Sequence, residues 1–422
     1  MAEGTALAAG GPPNLWRRLR PALVSTGVIL PAGLALNYAL NVVLARVLPV
    51  AGYGLFAYTQ SLAAILSLAA ALGFSTSMMR FVATYRIQGQ QALLRGLVRS
   101  SLRLILLASA LIALLLLALG WVFPAQRSGL FWVAMLLMPL TVDVWRESTM
   151  LGLHRAGAAI LPRQILLPGL TLACVGALSL TDAEAVMLAF FALLVLLELG
   201  GLWQLRSALA LPKELHPVTR IRDWLRTSLP MAGANLATQG MMRWDVVVLG
   251  ALLGLEAVGP YAAAARTALL ASLVLRVVNL VVGPMLAELY HSGDLRRFRR
   301  LLLAASLGAG AAGLPLYMLV LLRPEWVLGL FGPAYAEAAL PLQILATGQF
   351  VNLVTGPVGL ALTMSVHEAA NLRLSLAASL GSLVALILLV PIYGAGGAAL
   401  AVGGAVALLN VAMVVLAWRY FR

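Results

Sequence analysis

Long apolar runs separated by short polar connectors make up almost the whole chain. A helix needs about 20 apolar residues to cross a bilayer core. Runs of that length fall near 22–46, 54–79, 101–123, 129–153, 158–180 and 184–205. A second set falls near 226–252, 259–286, 301–323, 335–364, 372–393 and 395–418. Apolar residues in these runs do not alternate with polar ones, so the runs read as helices and not as strands of a membrane barrel. Pro31, Pro139, Pro168, Pro230, Pro284, Pro315 and Pro357 lie inside or near the ends of runs. Neighbouring helices in a bundle restore the hydrogen bonds that proline removes, so these positions predict kinks rather than helix ends.

The connectors carry a repeat. VLPVAGYGLFAY (47–58) and LLGLEAVGPYAA (252–263) align at an offset of 205 residues. Leu48 falls on Leu253, Gly54 on Gly259, Phe56 on Tyr261 and Ala57 on Ala262. Tyr85 and Tyr290 keep the same offset, each followed by a polar turn and a basic amphipathic stretch. Such stretches suit the membrane interface, with arginines toward lipid phosphates. Each connector joins the first two runs of a six-run half. An even number of crossings per half makes the halves parallel repeats, related by an axis along the membrane normal. The expected architecture is all-α and integral to the membrane, with about twelve helices in two parallel six-helix lobes around a central cavity. A cytoplasmic tail is expected over 1–20, a first lobe over 21–205, a polar linker over 206–224 and a second lobe over 225–422.

Composition agrees. The 422 residues are 62% hydrophobic and only 10% charged, with mean hydropathy +0.97. Soluble domains carry about 25% charged residues. The net charge is +14, and it follows topology. With the N-terminus inside, inner segments hold the arginines of 17–20, 86–103, 155–163, 206–226, 296–300 and 373–422, together with Lys213. Outer connectors hold only Arg46, Arg127 and Arg323. This asymmetry orients both termini to the cytoplasm. The tail lacks the charge order of a secretory signal, because its arginines follow the soft stretch.

Charges inside the runs need a separate account. An arginine at mid-bilayer costs about 2.5–3.5 kcal/mol on insertion scales, so one found there faces protein, water or a ligand. Arg146, Arg243, Arg266 and Arg276 lie inside runs, as do Asp143, Glu147, Glu198 and Asp245. Arg266 and Arg276 share the eighth run, about 15 Å apart if it is one helix. Asp143, Arg146 and Glu147 stand at i, i+3 and i+4, so Arg146 reaches Asp143 along one helix face. Two readings stay open for each group. Arg243, Arg266 and Arg276 either face a ligand, with Arg146 and Asp245, or pack the lobes together. Glu198, with Asp143 and Glu147, is either a coupling-ion carboxylate or an ion-pair partner of a neighbouring arginine.

Other chemistries find no support. Cys174 is the only cysteine, and His154, His216, His291 and His367 are scattered, so no disulfide framework, metal site or catalytic dyad is spelled out. No phosphate-binding glycine loop is present, and the basic stretches read as inner-face arginines and not as a nucleic-acid surface. No cofactor and no enzymatic activity are expected.

The stretch LARVLPVAGYGLFAYTQSL with LGFSTSMMRFVATYR resembles the start of polysaccharide-transport flippases, in the multidrug/oligosaccharidyl-lipid/polysaccharide exporter superfamily. Leu48, Pro49, Tyr53, Gly54, Gly73 and Arg80 carry that likeness. MMRWDVVVLGALLGLEAVGPYAAAAR is similar to the family's seventh-to-eighth helix region through Asp245, Gly250, Gly259, Tyr261 and Arg266. Val50 and Ala51 stand where the family often has acidic residues. The resemblance implies a flippase moving a lipid-diphosphate-linked oligosaccharide across the bacterial inner membrane by alternating access. Its implied partners are a polyprenyl-diphosphate-linked glycan, membrane lipids and enzymes of glycan polymerisation or ligation, with the transporter itself a monomer. Arginine suits a diphosphate because its planar fork pairs with two oxygens at once. The competing expectation is a multidrug or organic-cation antiporter on the same fold, which would rely on acids in the cavity.

Overall fold

The computed structural model describes residues 15–210, 216–365 and 368–421. Lys213 and His367 lie outside the described residues, as does most of the expected tail; its last part is helical, since α1 runs Leu15–Val47. Every described element is helical. The first half continues with α2 (Val50–Ala70), α3 (Phe74–Ile87), α4 (Gln91–Val122) and α5 (Arg127–Gly152). Then come α6 (Ala156–Leu161), a π-helical turn (Pro162–Leu166), α7 (Leu167–Ala177) and α8 (Ala183–Leu209). The second half holds α9 (Ile221–Gly240), α10 (Trp244–Leu253), α11 (Leu255–Ala268), α12 (Ala271–His291) and α13 (Leu295–Leu322). It ends with α14 (Pro324–Leu328), a 3-10 turn (Pro333–Ala338), α15 (Ala339–Thr355), α16 (Val358–Met364) and α17 (Glu368–Tyr420).

Among the described residues, ten helical segments are long and apolar enough to cross a membrane. The last of them is really two crossings. Gly394 takes φ 57° and ψ −135° inside α17, and the chain doubles back there. Ser382 Oγ donates to the carbonyl of Ala401 at 3.5 Å across the resulting hairpin. The pair α9 and α10 adds one more crossing, too polar and too interrupted to pass as a single apolar span. The architecture is therefore the twelve-crossing bundle that the apolar runs predict.

Four crossings are interrupted among the described residues, one of them the tenth, where Gly356 takes φ 68° between α15 and α16. In the second, Leu72 and Gly73 both take positive φ (51° and 81°). A Cβ on Gly73 would sit 1.9 Å from the Ser228 carbonyl oxygen on α9, so only glycine fits there. The seventh breaks at Met241–Arg243 and the eighth at Leu269–Leu270. Arg266 and Arg276 thus sit on two helices, α11 and α12, and not on the single rod expected from the sequence.

One end of the molecule holds the two repeated connectors, and the other holds the arginine-rich segments. At the connector end a single apolar core joins both halves, from Leu44, Tyr53 and Phe56 to Tyr261, Phe331 and Tyr335. At the arginine-rich end the core is divided. One cluster, around Phe74, Trp145 and Leu205, belongs to the first half with Trp224 of α9. Another, around Leu286, Phe298 and Phe421, belongs to the second. Apolar packing that is continuous at one end and split at the other leaves a cleft between the halves.

Candidate functional site

The connector end is closed by contacts between the halves. Arg46 Nε donates to the Leu330 carbonyl at 2.6 Å, and Tyr335 Oη donates to the Ala45 carbonyl at 3.1 Å. Tyr38 and Phe331 meet edge to face with ring centroids 5.6 Å apart, as do Tyr53 and Tyr335 at 5.9 Å. At the arginine-rich end, α9 and the segment before it pack on the first half, with Trp224 in its apolar cluster and the Val218 amide donating to the Ala92 carbonyl of α4 at 3.1 Å. Ser77 and Ser228 hydroxyls lie 2.7 Å apart, and Trp224 Nε1 donates to Tyr85 Oη at 2.9 Å.

Between these ends lies a cavity of about 530 Å³. The first half lines it with Asn37, Tyr38 and Asn41 of α1, Gln60 of α2, and Arg163 and Gln164 of the π turn. The second half contributes Arg243 and Asp245 around the start of α10, then Arg266, Arg276 and Asn279, with Gln349 and Asn352 of α15. Four arginines thus face one carboxylate across this cavity, an excess of three positive charges. Within the described residues, the side chains of Arg243, Arg266 and Arg276 make no hydrogen bond or salt bridge. Arg163, Arg243 and Arg266 lie within electrostatic range of one another. Arg243 occupies the break before α10, where the local backbone leaves the helical path (φ −143°, ψ −16°) and turns its side chain toward the space between the halves.

Asp245 is buried and already occupied. Its Oδ2 accepts from Tyr261 Oη at 2.8 Å, and its Oδ1 accepts from the Val246 amide at 2.8 Å. A carboxylate with both oxygens engaged in short charge-assisted bonds is a structural acceptor first. The first half has a neutral counterpart: Tyr53 Oη donates to Asn41 Oδ1 at 3.1 Å.

Arg146, Asp143, Glu147 and Glu198 stand apart from the cavity. Arg146 is wholly buried, and its fork is filled by Glu198 (Nε to Oε2, 2.8 Å; Nη2 to Oε1, 3.2 Å) and Asp143 (Nη2 to Oδ1, 2.8 Å). Its Nη1 donates to the Ala158 carbonyl at 3.2 Å. Gly201, one turn beyond Glu198 on α8, is matched to this: a Cβ there would lie 2.6 Å from Arg146 Cδ. Glu147 is half-buried and makes no ion pair among the described residues. Arg146, Asp143 and Glu198 therefore form a closed ionic cluster linking α5 to α8, with Glu147 beside it, and it meets the cavity through the Arg163–Asp143 pair. Arg163 itself is the residue that sequence reasoning passed over. The charge rule places it with the inner arginines because it lies near the start of a run. The signal that marks it is LPRQILLP, an arginine between two prolines inside an apolar stretch. No cluster of three or more metal-ligating side chains occurs among the described residues.

Comparisons with known proteins agree with the fold. The sequence profile of the family described as polysaccharide biosynthesis protein matches residues 23–290. No curated protein matches the chain by sequence. Among solved structures, an inward-facing multidrug resistance MATE family transporter of the MOP superfamily matches with TM-score 0.70 at 16% identity, over 95% of this chain and 98% of that one. The lipid II flippase MurJ in an inward closed conformation gives 0.66 at 14% identity, over 94% and 87%. An outward-facing MATE transporter of the same superfamily gives 0.55 at 17% identity, over 95% and 94%. At these identities the likeness is one of fold.

Proposed function

The chain belongs to the polysaccharide biosynthesis protein family, and from that premise we propose that it is a flippase for a lipid-diphosphate-linked oligosaccharide. It works across the bacterial inner membrane by alternating access, with both termini in the cytoplasm and no catalytic step of its own. The carrying observation is the charge of the cavity: four arginines against one aspartate whose oxygens are taken. Three of them, Arg243, Arg266 and Arg276, have no ion-pair partner among the described residues, and such arginines are costly in a membrane interior and serve best where an anion visits. A diphosphate brings two or more negative charges and the oxygen geometry that an arginine fork matches. The glycan then occupies the wider, polar part of the cleft while the lipid chain stays in the bilayer.

The division of the core supports the direction of the resting state. With the arginine-rich end in the cytoplasm, the closed connector end faces outward, so the cavity loads from inside. The first lobe (21–205) and second lobe (225–422) would rock about the connector contacts, with 206–224 as the tether. A second reading, an organic-cation antiporter, has Asp245 as its one support. That residue is already bonded to Tyr261 and to backbone, and the cavity's net charge repels cations.

The test is a binding competition in nanodiscs. A polyprenyl-diphosphate sugar, the uncharged polyprenol and a rhodamine dye are titrated in parallel. Saturable binding of the diphosphate alone, weakened by salt, is expected. Saturable dye binding without diphosphate binding would overturn the flippase reading.

A further inference from the structure

Arg163 sits on the one π-helical turn among the described residues, between Pro162 and Pro168. The Leu167 amide bonds back to the Pro162 carbonyl and closes the wide turn. Gly33 of α1 supports it, since a Cβ there would lie 2.9 Å from the Gln164 carbonyl oxygen. Single π turns are rare in helices and are frequent at functional sites. The arginine carried by this one has two faces to serve. It lines the cavity, and its Nη1 lies 3.8 Å from Asp143 Oδ2. That separation is an ion pair but too long for a hydrogen bond, and Nη1 is a buried donor without a hydrogen-bond partner. The Asp143 oxygen that is firmly held is the other one, Oδ1, by Arg146. On the same half, Gln60 lines the cavity at 8% exposure, and its Nε2 is likewise a buried donor without a partner.

We propose that Arg163 exchanges between Asp143 and an anionic phosphate group in the cavity. With Gln60 it forms the first half's share of a site whose other share is Arg243, Arg266 and Arg276. The proposal deepens the flippase reading and rests on it. A bound diphosphate bridges the halves, because donors reach it from both. Asp143 is a positioning residue that competes with the ligand for Arg163. Occupancy of the cavity is thereby passed to the ionic cluster. When Arg163 leaves, Asp143, Glu147 and Glu198 face Arg146 alone, and one more negative charge there is uncompensated. The loss weakens the hold between α5 and the π turn in the loaded state, which is the state that must move.

The competition gives a sign that simple packing does not. Farnesyl diphosphate is titrated calorimetrically into detergent-solubilised protein, with farnesol as the uncharged control. Arg163→Gln is expected to weaken the diphosphate by about tenfold to a hundredfold, the span of one charge-assisted hydrogen bond. Asp143→Asn, which leaves Arg146 its two bonds to Glu198, is expected to tighten it at least about fivefold by releasing Arg163. In Asp143→Asn with Arg163→Gln that gain should vanish, because the freed group is gone. Gel-filtration profiles and melting temperatures identify the folded variants, and Arg163→Lys, which keeps the charge but not the fork, should fall between wild type and Arg163→Gln. Wild-type affinity in Arg163→Gln, while Arg266→Gln loses binding, would overturn the exchange and leave the flippase reading standing. Asp143→Asn that weakens binding, or tightens it equally without Arg163, would also overturn the exchange. Failure of the wild-type protein to bind farnesyl diphosphate at all would overturn both.

Discussion

Gly54 of α2 and Gly259 of α11 lie against one another across the two halves. A Cβ on Gly54 would stand 1.9 Å from the Leu255 carbonyl oxygen and 3.2 Å from the Gly259 nitrogen, and one on Gly259 would stand 2.7 Å from the Val50 oxygen. These are the two glycines that the 205-residue repeat superimposes. The connector is written twice because each copy packs on the other, backbone to backbone, and no side chain fits between them. The contact lies at the closed end of the cleft.

Substitution at this crossing should therefore unseal the connector end. In a Cys174→Ser background, Arg46→Cys and Leu330→Cys should be joined by a short bis-methanethiosulfonate crosslinker, which forms a disulfide with each thiol, because Arg46 already reaches the Leu330 carbonyl. Crosslinking should halt transport, and reduction should restore it. Adding Gly54→Leu should abolish the crosslink. Equal crosslinking with and without Gly54→Leu would show that the glycine contact does not hold the end closed.

The buried cluster should govern stability. Removing one partner from a buried ion pair costs about 3–5 kcal/mol, since the remaining charge is left uncompensated. Arg146→Met and Glu198→Gln should each lower the melting temperature of the detergent-solubilised protein substantially. Glu198→Gln with an unchanged melting temperature but lost dependence on an ion gradient would instead assign Glu198 to coupling.

Tyr261 should protect the cavity from its own aspartate. Loss of its hydroxyl in Tyr261→Phe frees Asp245 Oδ2, which then competes for Arg243 and Arg266. A hydrogen bond to a charged group contributes about 1.5–3 kcal/mol. Diphosphate affinity should fall in Tyr261→Phe and recover in Tyr261→Phe with Asp245→Asn. No change in affinity would separate the Asp245–Tyr261 pair from ligand binding.

Much of the fold was legible because it follows from one-dimensional signals. Apolar run length fixes crossings, and the paired connectors disclose the duplication. Pairings within one helix turn, such as Asp143 with Arg146, were legible for the same reason. Contacts between distant positions were not. Glu198 lies 52 residues from Arg146, and nothing near either of them names the other. The break that separates Arg266 from Arg276 falls at Leu269–Leu270, a dipeptide with no helix-breaking residue, so the eighth run reads as one rod. Arg163 was hidden by the charge rule itself. An arginine near the inner end of a run satisfies topology, and only the π turn shows that it is aimed inward. The family glycines read as turn-formers, whereas Gly54 and Gly259 serve close approach and Gly250 makes room for the Tyr58 ring, 2.5 Å from where its Cβ would be.

Transport of an anionic lipid head group by means of Arg243, Arg266 and Arg276 is read out by translocation in proteoliposomes, with a fluorescent polyprenyl-diphosphate sugar beside an organic-cation dye. Single Arg→Ala variants that remain folded should lose affinity for the diphosphate lipid by about 10- to 150-fold, with Arg→Lys recovering only part of the loss. Asp245→Asn should leave translocation of the lipid intact. Dye transport that survives the arginine variants and fails in Asp245→Asn would contradict the account and make the protein a cation antiporter.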